Sequence, residues 1–422
     1  MHKERIFFNM QSSHLFIFAS NNATIPMKKN CFQCLLLVIS VFVLASCEPK
    51  APLPNIDITS SSIPYDHKIP CFIYYSENGD ILKENAKVKW RGGFSCVYPK
   101  KSYTFKMDHK VALAGLPRQR AYILNANYID KTMMRHKICF DLFREMNPEK
   151  NLASQCAYVT VSLNGSYNGL YVLMQKLNAG SLGLDKTDTM AMIFKDPPLF
   201  RGENRLEPQW VQEPGNYFQQ NYPDIENKDR NGYLEELMQF MIHADDSTFA
   251  QEIGHYFDLD NIIDWQLLLM LSDNGDGVLK NFYLYKRDSF TPFRIAIWDY
   301  DDTFGRDGTG ELKPAGHLPD FERSLIINKL QNNPYLNYNT LLKQRYKVLR
   351  DSGVFSKRHI ETMIHDNDRI IQQELARNFQ RWPVNRSEYK DSNSYEDEIK
   401  IMRNFLKIHI PFLDKEMGYD GK

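Results

Sequence analysis

The residues with the clearest chemical meaning lie between positions 276 and 305. Asp276 precedes Asn281 by five residues, and Asp299 opens the run Asp-Tyr-Asp-Asp-Thr-Phe-Gly after a predicted strand pair. Phosphoryl transfer needs a carboxylate that orients the attacking hydroxyl, together with an amide oxygen and a second carboxylate that hold the metal. These three residues supply such a set, with the Asp-x-x-x-x-Asn spacing that protein kinases use. The spacing alone is a weak indication, because Asp and Asn are also common turn formers.

A site for phosphate groups also needs cations, and three basic residues near predicted strands are candidates. Arg91 lies in the stretch of strand-like alternation over residues 87–107, and Lys100 and Lys101 stand at a strand entry within it. Neighbouring side chains on a strand point to opposite faces, so only one of the two lysines can enter a cleft, and we favour Lys101. The alternative is a solvated strand edge that discourages aggregation. Arg135 is expected to pair with Asp130, about one helical turn earlier.

The elements that must position these residues divide the chain into a β-rich part and a helical part. Alternating residues predict strands over 68–75 and 87–107, and Asn164-Gly165 predicts a hairpin between strands at 158–163 and 169–177. Residues 195–230, rich in Pro, Asn, Gln and Gly, are expected to form a loop over the site. Apolar periodicity predicts helices over 129–146, 234–243, 259–272, 341–350, 360–379 and 396–413, and a strand pair over 281–285 and 293–298. This order predicts an α+β fold of two lobes with a cleft between them.

Four blocks of sequence, in this order, resemble the spore-coat-protein-H (CotH) kinase family. They read Arg-Gly with Pro-Lys-Lys-Ser-Tyr, Leu-Asn-Ala-Asn-Tyr with Met-Arg-His-Lys, Leu-Asn-Gly with Asn-Gly-Leu-Tyr, and Asp-Gly-Val-Leu-Lys-Asn with Trp-Asp-Tyr-Asp and Phe-Gly-Arg-Asp. The resemblance implies an atypical protein-kinase-like bilobal fold over residues 65–418. Its β-rich N-lobe would cover about residues 65–190, and its helical C-lobe about residues 231–418.

The resemblance also implies roles for individual residues. Asp276 would be the catalytic residue, Asn281 and Asp299 would bind Mg²⁺ or Mn²⁺, and the three basic residues named above would steady the phosphates of ATP. Family members transfer the γ-phosphate of ATP to a Ser or Thr hydroxyl of a protein and lack a glycine-rich loop; none is visible in this sequence. Gln175, which we place at the nucleotide site, stands where the family usually has Glu, so one negative charge is missing there.

The N-terminal segment has the layout of an export signal. Two lysines after Met27 precede an apolar run over residues 35–44, which is too short to span a bilayer comfortably. The run ends in Leu-Ala-Ser-Cys, which resembles the lipobox of bacterial lipoproteins and implies a lipid anchor on Cys47. We therefore expect an exported, membrane-anchored protein of a bacterial cell envelope.

This leader sets the remaining boundaries. Residues 1–26 are expected to be an overextended start, residues 27–46 the lipoprotein signal peptide, and residues 47–64 a tether. Four cysteines in the mature chain could form two disulfides or remain buried thiols, and the sequence leaves both open. They are Cys71, Cys96, Cys139 and Cys156.

Composition excludes some classes of function. The 52 basic and 52 acidic side chains give a formal net charge of zero, so there is no bulk electrostatic reason to bind nucleic acid. With 43% hydrophobic residues the chain can build a packed core, and its one long apolar run does not repeat, which excludes a polytopic membrane protein. The oligomeric state stays open.

Two other functions compete with a protein kinase. The pattern Asp-x-Asp-x-Thr from Asp299 also fits the nucleophile motif of haloacid-dehalogenase-type phosphatases, in which the first Asp is phosphorylated. That fold requires the motif to open a doubly wound parallel sheet, whereas here predicted helices follow it. A catalytically degenerate surface binding or adhesion module is the other alternative. An ATP-poor compartment favours it, but such a module would not need Asp276, Asn281 and Asp299 together.

Overall fold

The computed structural model describes residues 51–197, 219–224, 228–307, 312–384 and 392–421. The leader, with Cys47, and most of the loop expected over 195–230 lie outside the described residues. One compact unit begins at Pro52. Among the described residues no helix is both long enough and apolar enough to cross a membrane.

Seven strands of the N-terminal half close into a barrel. They are β1 (Asn55–Thr59), β2 (Ile69–Glu77), β3 (Asp80–Arg91), β4 (Ser102–Val111), β5 (Gln119–Asn125), β7 (Cys156–Leu163) and β8 (Ser166–Gln175). Their order around the barrel is β1-β2-β3-β4-β5-β8-β7. Alternate residues point inward, where Val88, Phe105 and Tyr122 are fully buried. The predicted hairpin at Asn164-Gly165 is confirmed, and it joins β7 to β8.

Strand β1 corrects the tether predicted over residues 47–64. Ile56 and Ile58 are buried in the barrel, and the alternate residues Asn55, Asp57 and Thr59 are only partly buried. The strand pairs antiparallel with β2 and parallel with β7, which closes the barrel. The folded region therefore begins at Asn55 instead of residue 65, and the tether prediction is wrong from that residue onward.

A second sheet of five strands has the order β10-β9-β11-β12-β6. Its strands are β6 (Leu152–Ala153), β9 (Met192–Lys195), β10 (Gln219–Tyr222), β11 (Phe282–Lys286) and β12 (Arg294–Ile297). All neighbours are antiparallel except β12 and the two-residue β6. The phosphatase interpretation requires a doubly wound parallel sheet opened by the strand before Asp299, so it is wrong for this fold.

Eight α-helices complete the part of the chain that the structure describes. They are α1 (Arg135–Met146), α2 (Asn231–His243), α3 (Asp246–Tyr256), α4 (Leu259–Ser272), α5 (Leu325–Asn332), α6 (Tyr338–Asp351), α7 (Lys357–Arg381) and α8 (Tyr395–Met417). The prediction missed the short helices α3 and α5. It also began α1 at residue 129, but Met133 has a φ of 59°, which no right-handed helix accepts, so α1 begins at Arg135. The mixture of strands and helices, with a β-rich N-terminal region, is confirmed.

Helix α4 lies at the centre of the helical part. Every residue from Asn261 to Ser272 is buried, including Trp265. A helix that is buried on every side has to be surrounded by other elements, and α4 packs against α1, α6, α8 and β12. The loop that carries Asp276 and Asn281 follows its C-terminus directly, so the most enclosed helix of the fold supports that loop.

The described cysteines are all free thiols. Cys71, Cys139 and Cys156 are buried, and Cys96 is partly buried. Burial raises the pKa of the Cys71 thiol to about 12. The structure thus decides for thiols over disulfides at these four positions.

Arg135 connects three segments that are distant in the chain. Its guanidinium, which is 1% exposed, pairs with Asp130 Oδ1 at 2.6 Å and with Glu398 Oε2 at 3.0 Å. Its Nε donates to the carbonyl of Thr303 at 3.0 Å. The predicted pairing with Asp130 is confirmed. Glu398, on α8, also pairs with Arg306 through its other oxygen, Oε1, at 2.9 Å, so its two oxygens connect α8 to α1 and to the segment after β12.

We predict that Glu398→Ala lowers the free energy of unfolding by about 3 kcal/mol, because it leaves two buried guanidinium groups without this carboxylate. Urea unfolding measures this loss. The control is Lys357→Ala, which breaks a half-exposed pair with Glu361 and should cost about 0.5 kcal/mol or less. Equal losses in the two variants would show that the Arg135 network is not a stabilising element.

Candidate active site

A cleft of about 740 Å³ lies between the outer face of the barrel and the loops after α4 and β12. Strands β3, β4 and β5 contribute one wall, and the segments around residues 276–283 and 298–302 contribute the other. Asp276, Asn281, Asp299, Arg91 and Lys100 all line this one cleft. The tertiary fold therefore brings together five of the residues that the sequence indicated.

The loop after α4 depends on a close approach of backbone to helix. The C-cap residue Asp273 turns the chain in the left-handed region, with φ of 53°. The Asn274 side chain accepts a hydrogen bond from the backbone N–H of Gly277 at 2.8 Å. A Cβ at Gly277 would lie 2.6 Å from Leu269 Cδ2, so a larger residue here would force the Leu269 side chain to shift. The following turn, which begins at Asp276, is thereby seated on α4.

Asp276 is held on one side by two donors. Asn281 Nδ2 donates to its Oδ2 at 3.0 Å, and Lys280 Nζ pairs with the same oxygen at 3.0 Å. Its side chain remains 40% exposed. Its Oδ1 has no hydrogen-bond partner among the described residues, so this oxygen can accept a bond from a hydroxyl in the cleft.

Asp196 positions Asn281, and sequence reasoning missed it. Its buried Oδ1 accepts hydrogen bonds from the backbone N–H of Asn281 at 2.7 Å and of Phe282 at 3.1 Å. Asn281 itself has a φ of 66°, and these bonds hold it in that conformation. The contact joins residues 85 positions apart, next to a segment without periodicity, and no local pattern in the sequence indicates it.

His136 is the second site residue that the sequence did not indicate as such. It is 3% exposed, and its Nε2 lies 3.1 Å from Asp299 Oδ1. Burial opposes its charge, but Asp301 and Asp299 raise the pKa of His136 to about 9. The Asp299 side chain is 51% exposed; partial removal from water in the cleft opposes its ionisation, but the bond to His136 lowers the pKa of that carboxyl to about 2.

Three carboxylates crowd the segment after β12. Burial and the charge of Asp299 raise the pKa of Asp301 to about 6, and burial with the neighbouring carboxylates raises the pKa of Asp302 to about 8. One ligand atom each from His136, Asp299 and Asp301 lies within 4.8 Å of the others. Carboxylate oxygens suit Mg²⁺ and Mn²⁺, and a divalent cation would relieve this repulsion, so the donor set fits such an ion.

Arg91 is the cation of the sequence analysis that acts on this acidic cluster. Its guanidinium carbon lies 5.1 Å from the centre of the Trp298 ring. After burial and His136, the charge of Arg91 contributes to the low pKa of Asp299. Arg91 therefore lies where it can act on an anion beside Asp299.

The two adjacent lysines have other roles. Lys101 was favoured for the cleft, but its Nζ donates to the carbonyls of Cys96 at 2.7 Å and Tyr98 at 2.6 Å, and it does not line the cleft. That expectation is wrong, because the Lys101 ammonium group binds the two carbonyls of the turn before β4 and not the cleft. Lys100 lines the cleft but is 2% exposed, and it donates to the carbonyls of Ala126 and Leu170. Burial lowers the pKa of Lys100 well below its ordinary value.

Gln175 is the last residue of β8 and does not line the cleft. Its successor Lys176 does, together with Lys68 and Lys89, and sequence reasoning missed all three. Burial and then the charges of Lys68 and Arg91 lower the pKa of Lys176 to about 8. One end of the cleft is thus acidic and the other basic.

Comparisons with known proteins agree with the motifs in this cleft. The family model described as CotH kinase protein matches residues 88–409, which is more than half of the chain. The inner spore coat protein H of Bacillus subtilis (strain 168) is 26% identical over 246 residues. That alignment covers 56% of this chain and 65% of the relative, so the chain spans less than two thirds of the length of that protein.

We predict that Asp196→Ala frees the backbone of Asn281 and costs about 2 kcal/mol of unfolding free energy, because two buried N–H groups lose their acceptor. Hydrogen exchange of the amides of Asn281 and Phe282 should accelerate at least tenfold. Asp188→Ala is the matched control, since Asp188 also accepts two backbone N–H bonds but at an exposed hairpin. Unchanged exchange at Asn281 and Phe282 in Asp196→Ala would contradict the positioning role.

Proposed function

Because the chain belongs to the CotH kinase protein family, we propose that it transfers the γ-phosphate of ATP to a Ser or Thr hydroxyl of a protein, in a metal-dependent reaction. The convergence of Asp276, Asn281 and Asp299 on one cleft carries this proposal. A kinase-like bilobal arrangement, with the barrel as N-lobe, is part of it. A binding or adhesion module would not need these three residues together in one cleft. Such a module remains the alternative function.

Asp276 would orient the acceptor hydroxyl and take its proton. Its Oδ2 is occupied by Asn281 and Lys280, which leaves Oδ1 for the hydroxyl. Lys280 also keeps a positive charge beside this carboxylate, and it would offset negative charge that accumulates on the phosphate during transfer. Positioning of the hydroxyl against the phosphate accounts for most of the rate enhancement expected of such a site.

Asn281 and Asp299 would hold Mg²⁺ or Mn²⁺, with the carboxylate of Asp301 as a further ligand. Held there, such an ion would supply positive charge that offsets the negative charge of the phosphates of ATP. His136 fixes the orientation of Asp299 through the 3.1 Å bond, so this carboxylate is preorganised before any ligand arrives. We assign Arg91, in place of Lys101, to the phosphates, because Arg91 lines the cleft and its charge acts on Asp299.

We predict that Asp276→Asn abolishes phosphoryl transfer while nucleotide binding survives, because the amide retains hydrogen bonding but cannot take a proton. Loss of the base should lower the rate by about 100-fold to 10,000-fold. The assay follows label from γ-labelled ATP into the chain itself and into casein. Binding is followed as the rise in melting temperature with ATP and Mn²⁺, which should be about 3 °C at saturating ligand.

Asp299→Ala is the companion variant, and it should lose the metal-dependent rise in melting temperature as well as transfer. Transfer at the wild-type rate in both variants would sink the mechanism. Wild-type protein that shows neither transfer nor a temperature rise with ATP and either metal would favour the binding-module alternative instead.

We further propose that the protein is an exported lipoprotein, anchored through Cys47 after removal of residues 27–46. The Leu-Ala-Ser-Cys sequence supports this. Metabolic labelling with a fatty acid should mark the wild-type protein and not Cys47→Ala, and the wild type should sediment with membranes. Equal labelling of both would overturn the anchor at this cysteine.

A further inference from the structure

Five lysines form a continuous surface that begins in the cleft and leaves it along the barrel, and we call it the lysine ridge. Lys87 and Lys106 face each other directly across β3 and β4, and Lys89 is the next outward residue of β3. Val88 and Phe105, the alternate residues, point into the barrel. The ridge consists of Lys68, Lys87, Lys89, Lys106 and Lys176.

The charge of this ridge is not compensated within the described protein. None of its ammonium groups makes an ion pair or a hydrogen bond with a residue that the structure describes. After burial, the groups that lower the pKa of Lys68 are all lysines, namely Lys106, Lys89 and Lys87. Like charges placed opposite each other on neighbouring strands destabilise a sheet, so the fold carries a cost here. In a chain with net charge zero, such local segregation of positive charge indicates an anionic ligand.

The ridge leads away from the residues that would perform the transfer. Arg91 marks the near end, because it acts electrostatically on both Asp299 and Lys176. No carboxylate of the acidic cluster is among the groups that shift the pKa of Lys68 or Lys176. At about 3.3 Å per residue, Lys89 and Lys87 are about 7 and 13 Å from Arg91 along β3.

We propose that the lysine ridge binds acidic or phosphorylated side chains of the acceptor polypeptide, close in sequence to the hydroxyl that receives the phosphate. This proposal rests on the proposed function. An extended peptide has the same rise per residue as β3, so side chains two to four positions from the hydroxyl would lie beside Lys89 and Lys87. Charge-assisted bonds from ammonium groups to carboxylate or phosphate would hold them.

Peptide binding tests this proposal without any transfer reaction. Four fluorescent peptides share one serine and differ in the flanking residues, which are glutamate, phosphoserine, alanine or lysine, and anisotropy measures their affinity for the full chain. The glutamate and phosphoserine peptides should bind at least tenfold more tightly than the alanine peptide, and added salt should lower their affinity. The phosphoserine peptide should bind more tightly than the glutamate peptide if the ridge selects phosphate. The two should bind with equal affinity if any anion suffices. Affinity that does not depend on peptide charge would overturn the proposal.

Reversing the charge of two ridge lysines tests whether the anionic peptides bind at the lysine ridge. Lys68→Glu with Lys89→Glu should weaken the anionic peptides at least tenfold and leave the melting-temperature rise with ATP and Mn²⁺ unchanged. The control is Lys343→Glu with Lys407→Glu, two exposed lysines on α6 and α8 with the same change in charge. The milder Lys68→Gln with Lys89→Gln replaces the reversal variant if that variant does not fold.

The outcomes separate this proposal from the proposed function. Equal weakening in the control, or loss of the ATP response in the ridge variant, would overturn it, since the ridge would then act non-specifically or bind the donor. Anionic peptides that bind through the ridge in a protein without transfer activity would leave the ridge standing while the kinase assignment fails.

Discussion

The buried guanidinium of Arg135 is the interaction on which the rest of the site depends. It binds Asp130 before α1, Glu398 on α8 and the carbonyl of Thr303 after β12, so it fixes the start of α1 relative to the acidic segment. A charge that is removed from water must be fully paired, and this one requires all three segments to be in place. His136, the residue after Arg135, is thereby held within hydrogen-bond distance of Asp299.

A second constraint on the site is the unusual backbone conformation of three of its residues. Asp196, Asn281 and Asp299 all have φ between 48° and 66°, a conformation that non-glycine residues rarely adopt. Each is held by contacts from another part of the chain: Asp196 accepts the N–H of Asn281, and His136 binds Asp299. Backbone strain of this kind persists only where surrounding structure compensates for it, and it concentrates at functional sites. The site is therefore preorganised by distant contacts more than by its own loops.

Segregation of charge organises the cleft. Carboxylates gather at the end where Asp276 and Asp299 meet, and burial together with their mutual repulsion raises the pKa of Asp301 and Asp302. Lysines gather at the other end, where no carboxylate of the described residues pairs with them. A metal with a phosphate donor suits the first environment, and an anionic polypeptide suits the second. Arg91 stands between them and acts on both.

Sequence analysis predicted the type and order of most elements and five residues that line the cleft. Helix α4 was predicted at its observed bounds, and the Asn164-Gly165 hairpin was correct, because both depend on interactions between near neighbours. The prediction of a tether was wrong at Ile56 and Ile58, since two alternating apolar residues are too few to distinguish a strand from a linker.

Which side chains meet became known only from the fold. It turned Lys101 to the carbonyls of Cys96 and Tyr98, although its neighbours in sequence placed it equally well for the cleft. It brought His136 and Asp196 to the site across 163 and 85 positions of the chain. Local patterns record the burial and conformation of a segment, whereas contacts between segments arise from packing around α4 and from the pairing of buried charge. A single sequence contains no local pattern that indicates these contacts between distant segments.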